Sequence, residues 1–97
     1  MKVGCEMDTK DLEKVVRSIS KRKGPVWYRE GVRDGEKEVM QIIEDAADEQ
    51  ELVSALRSKI AFWRERYWNV KEFVMPYYDG KMDVAKKAIE YLENRGR

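Results

Sequence analysis

This 97-residue sequence predicts an all-α fold, a small bundle of three to five helices, on three observations. Apolar residues recur every three or four positions through most of the chain, which is the spacing of one helical face. No alternating apolar and polar run arrives with a turn signal that would make it a convincing strand. The links between periodic segments are short, as in helices packed side by side. A chain of this length supports one modest core and not two. Residues 1–97 are therefore read as one domain, with a short loose N-terminus over residues 1–7.

The first helix is the clearest. Asp8 suits its N-cap, and Met7 can pack on Leu12 as a hydrophobic staple. Leu12, Val15, Val16 and Ile19 make one apolar stripe, while Lys10, Lys14, Arg17 and Lys21 form a basic ridge on the opposite face. Arg22 and Lys23 carry the charge to the helix end, where cations suit the macrodipole. Gly24-Pro25 stops the helix, because proline disfavours a helical residue before it.

From Pro25, which suits the first helical position, Tyr28, Val32, Gly35, Val39, Ile42, Ile43 and Ala46 keep a second stripe. Gly31 and Gly35 each cost about 1 kcal/mol relative to alanine inside a helix. Two readings are open: one long helix in which the glycines permit close packing, which is favoured, or a loop through Asp34 that caps a shorter helix. A hairpin strand over 26–32 lacks its turn.

Asp48-Glu49-Gln50-Glu51 has capping-box spacing and opens a third helix. Leu52, Leu56, Ile60, Trp63, Tyr67, Val70 and Val74 then step by three and four towards Pro76. Asn69-Val70-Lys71-Glu72 is itself a cap pattern, with Trp68 and Phe73 in the staple positions, so a break near Asn69 is the alternative to a continuous helix. Tyr77-Tyr78-Asp79-Gly80 reads as a turn. Val84, Ala85, Ala88, Ile89 and Leu92 form the inner face of the last helix, closed by Asn94-Arg95-Gly96.

The composition excludes more chemistry than it suggests. Histidine is absent, which removes Ser-His-Asp and Cys-His nucleophilic sites and metal sites built on imidazole. One cysteine, Cys5, excludes an internal disulfide or a thiolate cluster and points to a reducing, cytoplasmic setting; near a loose terminus it reads as a spectator. The acidic run over 44–51 straddles a helix end and a cap, and Asp34-Gly35 and Asp79-Gly80 lack the rest of a calcium loop. The expectation is no metal, no cofactor and no enzyme. No apolar run has the length of a signal peptide or a membrane span, so no membrane partner is expected.

Seven of the ten aromatic residues lie over 62–78, interleaved with arginines and a lysine. That is more aromatic surface than one short helix buries, so part is core and part is a contact surface. In a continuous helix Trp63 and Tyr67 point inward, while Trp68 projects about 100 degrees away from Tyr67 with Arg64 one turn earlier, placed for a cation–π pair. If the helix breaks at Asn69, Trp68 packs on Phe73 instead. Arg64, Trp68, Tyr77 and Tyr78 are the candidate partner-binding residues, the tyrosines exposed in their turn. The ridge of Lys10, Lys14, Arg17 and Lys21 suits an acidic protein surface or a nucleic-acid backbone, although a net charge of +1 argues against a strongly basic coat. A loop Gly24-Pro25 is also a bond that a prolyl isomerase engages, which adds one further partner class.

The basic and aromatic surfaces over 10–23 and 63–78, on a short helical chain without catalytic residues, resemble those of small phage-encoded accessory proteins that disable or redirect host machines, of the anti-RecBCD or recombination-modulating type. That resemblance implies a cytosolic viral protein that works by occlusion, as an inhibitor or modulator of a host DNA-processing complex. The function expected is docking on a protein partner; the alternative is a nucleic-acid-binding accessory protein using the helix 1 ridge.

Overall fold

The computed structural model describes residues 9–18 and 25–95 and is all-α. Helix α1 spans Thr9–Arg17, α2 Val26–Asp45, α3 Glu49–Asn69 and α4 Met75–Arg95, with a 3₁₀ turn over Glu72–Val74 leading into α4. No strand occurs among the described residues. The expected caps and charges at Met7, Asp8, Lys21, Arg22, Lys23, Gly24 and Gly96 lie outside the described residues, as do Ile19 and the N-terminal segment with Cys5.

Each predicted stripe faces the core. Leu12 and Val16 of α1, Val32, Val39 and Ile43 of α2, Leu52, Leu56, Ile60 and Trp63 of α3, and Val84, Ala85, Ala88, Ile89 and Leu92 of α4 are all buried together. Burying the valines, leucines and isoleucines among them contributes roughly 1.5–3 kcal/mol each, which is what holds helices of these lengths in water. Asp48 caps α3, its carboxylate accepting from the Glu51 backbone N–H at 2.8 Å. Glu51 reaches back to accept from the Ala47 N–H at 3.2 Å, one residue earlier than in a standard capping box.

Helix α2 runs unbroken through both glycines, so the close-packing reading holds and the Asp34 loop and the strand do not. Pro25 precedes the helix in extended conformation, at the N-cap position rather than the first helical one. Gly31 and Gly35 face α4, and Gly80 of α4 faces back. A Cβ on Gly31 would stand 1.9 Å from the Tyr77 carbonyl oxygen, and one on Gly80 would stand 2.5 Å from that of Tyr28. Only glycine lets the two backbones approach this closely, and the packing it permits offsets its poor helix propensity. Gly31 meets Tyr77 and Gly35 meets Lys81, so α2 and α4 run parallel along this seam.

The expected turn at Tyr77-Tyr78-Asp79-Gly80 is the first stretch of α4 instead. Locally the four residues favour a turn, but Gly80 gains the α2 backbone as a partner, and Pro76 sits where its missing N–H costs nothing. The helix break at Asn69 is present, by a different device. The Asn69 side-chain amide donates back to the Glu65 carbonyl at 2.7 Å, closing α3 at its C-terminus rather than capping the next helical segment. Lys71 holds the N-cap position of the 3₁₀ turn. The reversal makes α3 antiparallel to α4, and Arg57 of α3 accordingly pairs with Glu93 of α4.

Candidate functional site

The aromatic segment divides into a caged half and an exposed half. Trp63 is the largest fully buried side chain. Lys81 of α4, itself buried, lays its ammonium 5.4 Å from the Trp63 ring, 5.0 Å from Tyr77 and 6.0 Å from Tyr78, and donates to Glu38 of α2. Lys59 of α3 shares the same carboxylate at 3.3 Å. A buried ammonium needs an anion and compensating contacts, and ring faces supply the latter. Three helices are thereby tied at one point.

Tyr77 and Tyr78 consequently differ from the exposed turn residues expected of them. Both are half-buried and helical. The Tyr77 hydroxyl donates to Asp34 of α2, and its ring meets Tyr78 edge-on at 5.1 Å. Burial first, then the Asp34 hydrogen bond, push its ionisation well above the usual phenol range. Across the same pair of helices, Tyr28 donates to Asp83 at 2.7 Å. Burial and that carboxylate push Tyr28 up to about 12. These tyrosines clasp α2 to α4, with Tyr77 offering the face of its ring to Lys81.

Trp68 is 70% exposed. The helix breaks after it, yet it does not become a staple: its ring meets Tyr67 edge-on at 4.9 Å, while Phe73 packs on Trp27 at 6.3 Å. Trp27, two residues into α2, also meets Tyr77 at 6.0 Å. The expected Arg64–Trp68 cation–π pair is replaced by others on the same helix. Arg66 and Lys59 flank the exposed Phe62 ring at 5.3 and 5.4 Å. Arg64 instead lines a groove of about 510 Å³ between α3 and α4, with Ile60, Ala61 and Ile89 on its floor.

Because α2 and α4 start, and α3 ends, at the same end of the bundle, that end collects Val26, Trp27, Trp68 and Phe73. They are four of the five exposed large hydrophobic side chains among the described residues, Phe62 being the fifth. Sequence reasoning singled out Trp68 and missed Trp27 and Phe73 as surface. The signal for Trp27 was present: it falls one position off the α2 stripe that begins at Tyr28. Phe73 carried no such signal, since its placement depends on the 3₁₀ turn.

On α1, Lys10, Lys14 and Arg17 are exposed as expected, and Lys21 lies outside the described residues. Arg17 borders a shallow hollow with Glu36 and Glu44 of α2, so the ridge meets acidic side chains rather than standing alone. The acidic run over 44–51 is spent locally: Asp45 accepts from Gln41, and Asp48 and Glu51 cap α3. Among the described residues no group of three or more acidic or cysteine side chains is placed to hold a metal ion. No helix among them is long and apolar enough to cross a membrane. The chain matches no protein-family model, no curated protein and no solved structure.

Proposed function

We propose that this chain is a non-catalytic docking protein that binds a protein partner through the aromatic end of its bundle. The observation that carries the reading is the gathering of Val26, Trp27, Trp68 and Phe73, all exposed, at one end. Apolar groups scattered singly over a surface are ordinary, but a cluster rimmed by polar residues is typical of an interaction site. Tryptophan is also the residue most enriched among interface hot spots. Lys71, exposed two residues before Phe73, suits steering towards an acidic surface. Trp68 thus remains in the proposed surface, Trp27 and Phe73 join it, Arg64 turns to the α3–α4 groove instead, and Tyr77, backed by Tyr78, supports Trp27. In the setting implied by the resemblance to phage accessory proteins, the partner is a subunit of a DNA-processing complex, and occupation of its surface is the whole activity.

Affinity capture with the tagged chain, with and without nuclease, tests this. The partner should survive nuclease and be lost with Trp68→Ala or Trp27→Ala. Lys37→Ala, far along α2, should retain it. Capture that disappears with nuclease, or that depends on Lys10, Lys14 and Arg17 instead, replaces the reading with nucleic-acid binding.

A further inference from the structure

The groove between α3 and α4 has its charges matched at one end and unmatched at the other. Its apolar floor, Ile60 and Ala61 of α3 with Ile89 of α4, lies between. At the matched end Arg57 pairs with Glu93, and Glu90 pairs with Lys87. The helices run antiparallel, so two turns on from Arg57 and two turns back from Glu93 the same register brings Arg64 opposite Lys86. Two cations thus face each other where a second pair like Arg57–Glu93 would fit. Neither of them enters an ion pair among the described residues. Lys86 shares a field with Asp79, two turns away on its own helix, without pairing with it.

The unmatched end runs on towards the aromatic end of the bundle. At about 100 degrees per residue, Arg57, Ala61, Arg64 and Trp68 fall within about 60 degrees of one another around α3. Trp68, 70% exposed, therefore stands one turn beyond Arg64 on the helix face that walls the groove. Along that face come an apolar contact at Trp68, the two unmatched cations, and a second apolar contact at the floor. Successive steps are about 5 to 6 Å along the axis, close to one helical turn. The complement of that order is one stripe of an α-helix that carries an apolar residue, a carboxylate and an apolar residue at three- or four-residue spacing. Building on the docking reading, we infer that the groove receives a helical segment of the protein partner bearing this stripe. Its Asp or Glu lies between Arg64 and Lys86, with one apolar neighbour on Trp68 and the other on Ile60, Ala61 and Ile89. The carboxylate supplies the anion that the two cations lack, and the apolar groups remove water on either side of it. At the Arg57–Glu93 end no charge is left over, so the segment needs none there.

Two synthetic helical peptides of about 18 residues test this by NMR titration of the full chain. The acidic one carries leucine, glutamate and leucine at four-residue steps, and the basic one has lysine in place of the glutamate. The acidic peptide should shift the signals of Ile60, Ala61, Ile89 and the Trp68 indole, and should bind at least about tenfold more tightly than the basic one. Arg64→Glu with Lys86→Glu should reverse that preference, a result that loss of folding cannot produce. Added salt should weaken the acidic peptide. Trp68→Ala should weaken it too, whereas Trp27→Ala, off the groove, should not. No binding at about 1 mM peptide overturns the inference, as does equal affinity for the two peptides. Shifts confined to Trp27 and Phe73 overturn it by placing the helix on the aromatic end alone. Decanoate bound as tightly as the acidic peptide gives the groove to small amphiphiles, and a doubling of mass that the double reversal abolishes gives it to a second copy; either overturns it. The docking reading is judged separately. A captured partner lost with Trp27→Ala but indifferent to the double reversal sinks the groove and spares the aromatic end.

Discussion

The two flanks of α4 are built on opposite terms. Towards α2 the helices meet backbone to backbone, through Gly31, Gly35 and Gly80, with Tyr28–Asp83, Tyr77–Asp34 and Lys81–Glu38 clasping the seam. Towards α3 they are held apart by side chains, Trp63 and Ile60 inside and Arg57–Glu93 outside, which leaves a groove. Glycines bring the first flank so close that no space remains for another molecule. Side-chain spacing leaves the second flank with surface to offer. One helix thus provides both the rigid joint and the open face.

The largest test removes the spacer. Trp63→Ala empties the centre of the α3 flank and should lower stability by about 4 kcal/mol, measured by urea denaturation. A loss below about 1 kcal/mol would mean that α3 collapses onto α4 and that the spacing is not set by Trp63. The next test enlarges one small side chain on each flank. Gly31→Ala should destabilise by about 2 kcal/mol, because overpacking against the Tyr77 carbonyl outweighs a gain of about 1 kcal/mol in helix propensity. Ala61→Val, on the groove, should stay within about 0.5 kcal/mol of the parent. Equal effects would erase the contrast between the flanks.

The smallest test concerns the clasp. Tyr28 and Tyr77 ionise above the unfolded phenol value of about 10, with Tyr28 at about 12. The folded chain then holds protons that the unfolded chain releases, so their contribution is intact below about pH 10 and falls as pH rises through 10 to 12. Tyr77→Phe should cost about 1 kcal/mol at neutral pH by orphaning Asp34. It should also flatten the alkaline loss, and thermal melts between pH 8 and about 12 read both effects. An unchanged alkaline slope would take Tyr77 out of the clasp.

What was legible in the chain was what closes locally. The stripe from Leu52 through Trp63 follows from helical period alone, and the Asp48–Glu51 cap is complete within a few residues. The glycines of α2 announced a close approach without naming the backbone approached, because Tyr77 and Lys81 lie more than 40 residues away. For the same reason Tyr77-Tyr78-Asp79-Gly80 reads as a turn until α2 is set against it. Trp68 shows the limit from the other side. Its exposure was tied to an unbroken helix, yet it points away from the core even though α3 stops, since Phe73, its expected partner, packs on Trp27. Lys81 carried no signal, because its cage draws on three helices at once.

The position of α4 in the chain has a consequence for synthesis. The other three helices pack on it, whereas α2 touches α3 only lightly. Until residues beyond Met75 leave the ribosome, the stripes of α1, α2 and α3 lack their common support, and the nascent chain carries exposed apolar faces without a fold to hide them. Folding of this bundle therefore waits for its fourth helix, and a ribosome paused before that point holds a chain that chaperones, rather than its own core, must keep from aggregating.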